Sequence, residues 1–333
     1  MMPTAAPRIA LTFGDFSGIG PELAVRLLAE SSNLEKARIS ALVSHDEFDR
    51  ACDAAGVSIP VADEPQTGAV HLVGSPLQDI EVPIRETSVD AGARVMKDLE
   101  KALAMSRDGD ADSIMFLPLN KTSLHLAGMH EEDELRWFAK ELEFDGFTSE
   151  LNFIPGLTTS RVTSHIPISE VAQHISADRV RHAIRLLHSV VLGTGVETPR
   201  IAVAALNPHA GENGQFGREE IDHIAPGVEL ARDVDGIEVT GPFPSDTLFI
   251  KARDGEFDGV VTMYHDQGQI ALKLMGFDQG VTVQGGLPVP IATPAHGTAY
   301  EIVGMNKAHL GPSQRALDIA VGLGTQTAER TRA

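Results

Sequence analysis

Three histidines, His165, His209 and His265, each follow a short run of apolar or β-branched residues that is typical of a buried strand. The carboxyl ends of parallel strands meet along one edge of an α/β sheet, so residues far apart in the sequence can converge there. Three imidazoles suit Zn²⁺ or a similar divalent ion and leave coordination positions open for a substrate oxygen. The pattern therefore predicts a metal site, against the alternative that each histidine packs or caps on its own.

Three further residues could move a proton beside such a metal. Asp246 and Asp266 offer carboxylates, and Lys273 follows His265 along a predicted helix. A metal ion makes a bound hydroxyl easier to deprotonate, and a neighbouring carboxylate or lysine can take or relay that proton. For Asp246 the competing interpretation is the N-cap of the following helix, and for Lys273 it is a solvated helix lysine.

Two glycine-rich loops follow predicted strands. Residues 207–217, Asn-Pro-His-Ala-Gly-Glu-Asn-Gly-Gln-Phe-Gly, come after the apolar strand at residues 201–206 and hold His209 where backbone can approach a ligand closely. Residues 14–22 come after a strand at residues 8–13 and lead into a helix. This second arrangement suits a phosphate or nucleotide, but its spacing is not the dinucleotide fingerprint, and a plain tight turn explains it equally well.

Strands and helices alternate along the rest of the chain, which predicts a layered α/β fold with a mostly parallel sheet or sheets. Residues 161–168 are expected to form a strand ending at a histidine, residues 147–157 an irregular segment, and residues 285–294 a proline- and glycine-rich loop. Residues 296–299 are expected to open the last long helical region. The acidic run within residues 131–140 is most simply a solvated face.

Composition argues against several classes of function. The chain has 333 residues, enough for two α/β domains or one large one. Its formal net charge of −20 opposes binding to nucleic acid or to an anionic membrane surface, so an anionic substrate would need locally placed cations. The single Cys52 excludes an internal disulfide. We see neither a signal peptide nor a run of about 20 apolar residues, and we expect a cytoplasmic protein.

Taken together, these loops resemble those of the 4-hydroxythreonine-4-phosphate dehydrogenase family, known as PdxA and PdxA-like proteins. The most specific matches are Asn-Pro-His-Ala-Gly-Glu with Phe-Gly-Arg-Glu-Glu-Ile, and Met-Tyr-His-Asp-Gln-Gly. The matching stretches span nearly the whole chain in order: residues 14–22, 118–128, 163–171, 206–222, 241–249, 263–268, Lys273 with Gly276 and Phe277, and 296–307.

The resemblance implies two α/β/α layered domains like those of isocitrate and isopropylmalate dehydrogenases. We place the first domain at residues 1–135 with 273–333 and the second at residues 136–272. The resemblance also implies a homodimer, with the active site in the interdomain cleft at the dimer interface. The three histidines map onto the family's metal ligands, and His265 would come from the partner subunit.

The family resemblance further implies the chemistry. The family oxidises a secondary alcohol next to an acid-bearing carbon with NAD or NADP, and the β-keto acid loses CO₂. The divalent ion, Zn²⁺, Mn²⁺, Mg²⁺ or Co²⁺, polarises the alcohol oxygen. The two aspartates and the lysine named above match substrate-site positions of the family. By analogy with the wider superfamily, the candidate nucleotide contacts are Gly14, Asp15, Gly18, Asn207, His296, Gly297 and Thr298.

The substrate pocket departs from the family pattern. A Gly-His-Thr-Glu run, whose His and Thr contact substrate phosphate, is replaced by Asp-Glu-Leu-Arg at residues 133–136. The family's substrate-binding Asn falls at Thr282, and its phosphate-binding Arg falls at Ile291. The chain thus loses the groups best suited to a phosphate dianion and gains a carboxylate that would repel one. The candidate substrate contacts are Glu134, Leu135, Arg136, Thr282 and Ile291.

We therefore expect a metal- and NAD(P)-dependent dehydrogenase of a small hydroxy acid or cis-diol carboxylate, with decarboxylation of the product. Two alternatives stay open. One is the family's own oxidation of 4-phosphohydroxy-L-threonine in pyridoxal-phosphate biosynthesis, which turnover of the phosphorylated substrate would identify. The other is a non-catalytic ligand-binding homologue, which would bind ligand or nucleotide and reduce no cofactor with any substrate.

Overall fold

Strands and helices alternate through the chain as predicted, and the computed structural model describes them over residues 6–276 and 279–332. Phe277, which belongs to the family match, lies outside the described residues. The chain forms two units, Met1–Phe144 with Pro288–Ala333 and Asp145–Leu287. The chain passes from one unit to the other after residues 144 and 287, near the boundaries of 135 and 272 expected from the sequence. The assignment of two domains stays a prediction.

The first unit contains a parallel sheet. Its strands, within the described residues, are β1 (Arg8–Thr12), β2 (Arg38–Leu42), β3 (Val61–Ala62), β4 (Val70–Leu72), β5 (Ser113–Phe116) and β12 (Ile291–Pro294). They lie in the order β3-β4-β2-β1-β5-β12, and every neighbouring pair is parallel. The helices of this unit are α1 (Gly20–Leu28), α2 (Ser31–Lys36), α3 (His45–Ala55), α4 (Val89–Arg107), α5 (Lys121–Leu126), α6 (Glu134–Glu141) and α11 (Gly311–Arg332).

The second unit contains a mixed sheet. Its described strands are β6 (Ser149–Ile154), β7 (Leu157–Arg161), β8 (Ile201–Ala204), β9 (Val239–Phe243), β10 (Gly259–Thr262) and β11 (Val281–Gly285), in the order β11-β6-β7-β10-β8-β9. The pairs among β7, β10, β8 and β9 are parallel, whereas β6 is antiparallel to β7 and β11. The helices of this unit are α7 (Ala177–Gly193), α8 (Ala225–Asp233), α9 (Ser245–Arg253) and α10 (His265–Gly276).

The expected α/β fold with mostly parallel strands is confirmed, but two local predictions in the second unit are wrong. Residues 147–157 are not irregular, because β6 and β7 form a hairpin around the two-residue Pro155-Gly156 turn, with Gly156 at φ +80°. A proline followed by glycine is a turn signal that the sequence carried. The strand expected at residues 161–168 is β7, which ends at Arg161, so His165 lies beyond it.

Two predictions in the first unit are also wrong. The expected loop at residues 285–294 contains β12, because Ile291 and Ala292 pair in parallel register with Ile114 and Met115 of β5. Residues 296–299 do not open the last helix, which begins at Gly311. Across the described part of the chain, no helix is long and apolar enough to cross a membrane.

A buried ion network supports the glycine-rich loop of the first unit. Arg94 of α4 is 1% exposed, and its guanidinium donates to Glu47 at 2.8 Å and to Asp98 at 2.9 Å. The same guanidinium lies 4.4 Å from the ring centroid of Phe16, inside loop 14–22. Burial raises the pKa of the Asp98 carboxyl to about 6. The loop therefore packs on a charged group that is itself held by two carboxylates.

We expect Arg94→Met to lower the free energy of unfolding by about 3–5 kcal/mol, because two carboxylates would lose their buried counter-charge. Urea denaturation measures the loss. The matched variant is Lys97→Met on the same helix, where a half-exposed lysine pairs with Glu100. An exposed pair of this kind contributes less than about 1 kcal/mol. Equal losses in the two variants would show that the network adds no stability.

Candidate active site

The topology of the second unit gathers most of the predicted chemical residues. Strands β7, β10, β8 and β9 run parallel, so the segments after them share one edge of the sheet. His165 follows β7, His209 follows β8, and Asp246 follows β9 in α9. His265 and Asp266 begin α10 directly after β10.

Two of the three candidate metal ligands lie together within one chain. The ring centroids of His165 and His265 are 5.3 Å apart. Their segments are joined by Thr163, whose backbone N–H and hydroxyl donate to the Met263 carbonyl at 3.1 and 2.7 Å. His265 Nδ1 lies 2.7 Å from Asp266 Oδ1. A carboxylate in that place fixes the imidazole tautomer and leaves Nε2 for a metal, so the chemistry of this donor pair suits a divalent ion. Among the described residues, the ligand atoms of the three histidines do not form one close group.

The third histidine lies on a backbone segment of unusual conformation. His209, Ala210, Gly211, Glu212 and Asn213 have φ values of 51°, 54°, 76°, 42° and 57°, a left-handed turn in which four residues are not glycine. Each such residue costs about 1–2 kcal/mol relative to the right-handed form. The side chain of His209 is 68% exposed, and its Nδ1 lies 3.3 Å from Glu212 Oε2. Strain of this kind clusters at functional sites.

In the part of the chain that the structure describes, His209 does not form a close group of ligand atoms with His165 and His265. The aromatic contact of its ring is with Phe216, at 6.1 Å between centroids. The structure therefore brings His165 and His265 together within one chain, while His209 stands on the same sheet edge after β8.

Helix α10 carries a line of polar side chains away from His265. Gln269 and Lys273 follow it at four-residue intervals, so all three share one helix face. Gln269 donates to the side-chain oxygen of Asn152 on β6, and Asn152 donates to Thr282 Oγ1 at 3.2 Å. Thr282 is therefore linked to the helix face that carries the candidate ligand and the candidate base. The sequence alone did not single out Asn152 or Gln269.

Asp246 is exposed in the first turn of α9 and does not cap it, because the N-cap residue is Pro244. The capping interpretation of Asp246 is therefore wrong. Gln267 holds this part of the edge together, since its side-chain nitrogen donates to the Ala205 carbonyl at 2.7 Å and to Ser245 Oγ at 2.8 Å. Sequence reasoning missed this role of Gln267, although the residue belongs to the Met-Tyr-His-Asp-Gln-Gly motif.

In the first unit, the glycine-rich loop meets the segment after β12. Ile19 N–H donates to the Thr298 carbonyl at 3.0 Å, and Asp15 N–H donates to the Pro118 carbonyl at 3.0 Å. A Cβ on Gly18 would lie 2.6 Å from the Thr298 Cβ, so glycine is required for this approach. The candidate nucleotide contacts of this unit, Gly14 and Gly297 included, thus lie at the edge formed by the ends of β1, β5 and β12.

Buried polar groups at this edge fit a polar ligand. Asp15 accepts hydrogen bonds from Ser17 N–H at 2.8 Å and from the Tyr300 hydroxyl at 3.2 Å. Burial raises the pKa of the Asp15 carboxyl and of the Tyr300 hydroxyl, and it lowers the pKa of the His296 imidazole. Ser17 Oγ and His296 Nε2 are buried without a hydrogen-bond partner among the described residues. Buried polar atoms are normally hydrogen-bonded, so these two atoms could bind a ligand or a water molecule. The sequence alone did not single out Ser17 or Tyr300.

Asn207, the remaining candidate nucleotide contact, is engaged inside its own loop. Its side-chain nitrogen donates to Glu219 Oε2 at 2.6 Å and to Glu220 Oε2 at 2.9 Å. A Cβ on Gly217 would lie 2.4 Å from that nitrogen, so the loop closes over it. These contacts give Asn207 a structural role in the loop that carries His209.

The acidic run at residues 131–134 forms one wall of a cavity of about 320 Å³ in the first unit, with Lys121 and His125 also lining it. Asp133 is 5% exposed, and its Oδ1 caps α6 by accepting from Arg136 N–H at 2.8 Å. Glu134 is 9% exposed and lies 3.4 Å from Lys121. The expected solvated face is therefore wrong for these two residues, because one caps a helix and the other is paired.

The other candidate substrate residues differ in their exposure. Leu135 is buried in α6, whereas Arg136 is exposed. Ile291 is fully buried in β12 and packs in the core of the first unit, where an arginine would lack its hydration. Thr282 is half-buried on β11.

Comparison with known proteins adds independent findings. The family model described as pyridoxal phosphate biosynthetic protein PdxA matches residues 26–320. A relative from Pseudomonas aeruginosa, described as "Putative 4-hydroxythreonine-4-phosphate dehydrogenase 2", is 48% identical over 98% of this chain and 100% of its own length. A D-threonate 4-phosphate dehydrogenase from Pectobacterium atrosepticum is 34% identical over 95% and 98% of the two chains.

A solved structure has a similar fold. The crystal structure of a 4-hydroxythreonine-4-phosphate dehydrogenase from Burkholderia phymatum superposes with a TM-score of 0.78 at 33% identity, covering 96% of this chain and 98% of that one. Each of these three proteins is described as a dehydrogenase, which is the reaction class expected from the loops of this chain.

Proposed function

Because this chain belongs to the PdxA family, we propose that it is a metal- and NAD(P)-dependent dehydrogenase that oxidises a secondary alcohol of a hydroxy acid or cis-diol carboxylate. The expected enzyme class, an oxidoreductase acting on a CH–OH group, is confirmed by its named relatives. The observation that carries the proposal is the pair of imidazoles of His165 and His265 beside Asp266. Decarboxylation of the product and a homodimer are part of the proposal. Because His165 and His265 lie together within one chain, we do not take His265 from the partner subunit.

We assign metal binding, proton transfer and substrate binding to different residues of the second unit. When bound, the divalent ion supplies positive charge beside the alcohol oxygen, and the nicotinamide accepts a hydride. His165, His209 and His265 would hold the ion. Lys273 lies two turns beyond His265 on the same helix face, where its Nζ would take the alcohol proton and return a proton to carbon after CO₂ leaves. Asp246 and Asp266 would bind and orient the substrate, and Asp266 also fixes the tautomer of His265.

The first unit would bind the nucleotide at the edge where loop 14–22 meets the segment after β12. Ser17 Oγ and His296 Nε2 would supply the polar contacts that they lack within the protein. Gly297, on which a Cβ would meet nothing within 4 Å, would allow the backbone to approach the cofactor closely, and Gly14, Gly18 and Thr298 would hold the edge around it. Asp15 would stay in its hydrogen bonds with Ser17 and Tyr300 and shape the loop.

We propose further that the end of the substrate remote from its carboxylate carries no phosphate. The family's phosphate-contacting run falls at residues 133–136, and the acidic residues 131–134 form part of the lining of the cavity beside it. The N-terminus of α6, which would otherwise attract an anion, already holds the Asp133 carboxylate. Lys121, a cation in the cavity wall, is paired with Glu134. A phosphate dianion would therefore meet repulsion and few available donors.

The pair Glu134→His and Leu135→Thr tests this specificity by restoring the two residue types that the family uses. We expect the wild-type enzyme to favour unphosphorylated hydroxy acids over phosphorylated hydroxythreonine and threonate. The double variant should raise kcat/KM for the phosphorylated substrates about 10–100-fold, because a hydrogen bond to a charged group is worth about 1.5–3 kcal/mol. Steady-state rates of NAD(P) reduction measure the change.

Glu141→His, near the end of the same helix and outside the cavity wall, is the matched control and should leave both rates unchanged. The second candidate function is oxidation of the phosphorylated substrate itself, and the names of both relatives favour it. A wild-type enzyme that prefers phosphorylated hydroxythreonine or threonate would establish that candidate and overturn the unphosphorylated one.

A further inference from the structure

We propose that Glu220 is a positioning residue for the metal site, because it holds the left-handed turn at residues 209–213 in place and so sets the position of His209. The inference rests on the proposed function, in which His209 binds the metal. Glu220 itself touches neither metal nor substrate in this account.

The turn needs an external anchor. Five successive residues, from His209 to Asn213, have positive φ, and four of them carry side chains that disfavour this conformation. The side chain of His209 is exposed, so packing around the imidazole does not hold it. A segment of this kind persists only when surrounding contacts determine it.

Glu220 provides such contacts at the point where the chain leaves β8. It lies in a π-helical turn, Glu220–Ile224, and is only 3% exposed. Its Oε1 accepts from the N–H groups of Leu206 and Asn207 at 2.8 and 2.7 Å. Its Oε2 accepts from the Asn207 side-chain nitrogen at 2.9 Å. One carboxylate therefore satisfies three donors immediately before the strained turn.

The same carboxylate also contacts the middle of the turn. A Cβ on Gly211 would lie 2.7 Å from Glu220 Oε2, so the glycine backbone packs directly against the carboxylate oxygen. Glu220 thus fixes the entry to the turn and its centre, on either side of His209. The strained turn depends on the buried carboxylate. Removal of the Glu220 carboxylate would therefore let the turn relax to ordinary backbone conformations.

Relaxation would weaken metal binding without altering any ligand. The apparent affinity of a site falls in proportion to the fraction of molecules in which the site is formed. Residues that orient a metal ligand typically change metal affinity about 10–100-fold when they are replaced. Glu220→Gln keeps the side-chain length and the oxygen that accepts from Leu206 and Asn207, whereas Glu220→Ala removes every acceptor.

Calorimetric titration of the metal-free full-length protein with Zn²⁺ tests the proposal. We expect Glu220→Ala to bind Zn²⁺ about 10–100-fold more weakly than the wild type, with Glu220→Gln between them. Hydrogen exchange should accelerate at the amides of Leu206 and Asn207 in Glu220→Ala, which loses their acceptor, and less in Glu220→Gln, which keeps it. If Glu220→Ala does not fold, the affinity of the folded Glu220→Gln protein decides, since it too should fall below that of the wild type.

Two further variants separate positioning from general destabilisation. Glu229→Gln, on the exposed face of α8, should keep the wild-type Zn²⁺ affinity. Ala210→Gly removes one strained side chain from the turn and, combined with Glu220→Gln, should restore part of the lost affinity. Wild-type affinity in both Glu220 variants would overturn the inference alone. Failure of the wild type to bind any of Zn²⁺, Mn²⁺, Mg²⁺ and Co²⁺ would overturn the proposed metal function and this inference with it.

Discussion

Replacing His209 with alanine is expected to weaken binding of the divalent ion about 100–1,000-fold and to abolish NAD(P) reduction. Structural zinc sites with four ligands are worth about 10–16 kcal/mol, so one imidazole contributes roughly 3 kcal/mol. The loss of turnover follows, because an open site without its ion no longer stabilises the charge that develops on the alcohol oxygen. Zn²⁺ titration and cofactor reduction should therefore fail together in this variant.

His174→Ala is the matched control for this prediction. His174 is exposed in the same unit, and its Nδ1 lies 2.9 Å from the Glu170 carbonyl. This variant should retain metal affinity and turnover. Full activity of the His209→Ala protein after removal of metal would contradict the assignment of His209 as a ligand.

Replacing Lys273 with methionine is expected to lower kcat about 100–10,000-fold, the usual contribution of a positioned general acid or base. Lys273 shares a face of α10 with His265 and Gln269, and methionine keeps much of its length without the titrating nitrogen. The variant should bind Zn²⁺ and NADH as the wild type does. A lower kcat with unchanged affinity for Zn²⁺ and NADH would assign Lys273 to proton transfer.

Lys251→Met supplies the comparison for this second prediction. Lys251 lies on α9 in the same unit, where its Nζ is 5.5 Å from the Phe243 ring centroid and 3.6 Å from Glu256. Its replacement should change kcat by less than about twofold, as for surface substitutions of this kind. Equal rates in the wild type and the Lys273→Met protein would remove Lys273 from the mechanism.

The sequence predicted the edges that carry the chemistry because parallel strands leave their loops on one side. His165 and His265 lie 100 residues apart in the sequence, yet the pairing of β7 with β10 brings their rings within 5.3 Å between centroids. Loop 14–22 and the segment at residues 296–299 were expected to share the nucleotide only by analogy with the wider superfamily, because β12, which positions the second segment, was not predicted from the sequence.

The left-handed turn and the buried charged side chains depend on contacts that local sequence patterns do not predict. The left-handed turn that carries His209 was not predicted, because its side-chain-bearing residues disfavour positive φ. The carboxylate of Glu220 and the guanidinium of Arg94 are buried through partners that become neighbours only after folding. Asp133 and Glu134 were both expected in solvent, but for different reasons. The Asp133 cap is a local contact that an aspartate before a helix can signal, whereas the pairing of Glu134 with Lys121 forms only on folding.

The metal- and nicotinamide-dependent activity is tested most directly by reduction of NAD or NADP by the purified full-length protein across hydroxy acids and cis-diol carboxylates, with and without a chelator. We expect at least one unphosphorylated substrate to give reduced nicotinamide, a chelator to abolish the reaction, and added Zn²⁺, Mn²⁺, Mg²⁺ or Co²⁺ to restore it. Cofactor reduction that is unaffected by complete removal of metal would contradict this expectation, as would nucleotide binding with no reduction by any substrate.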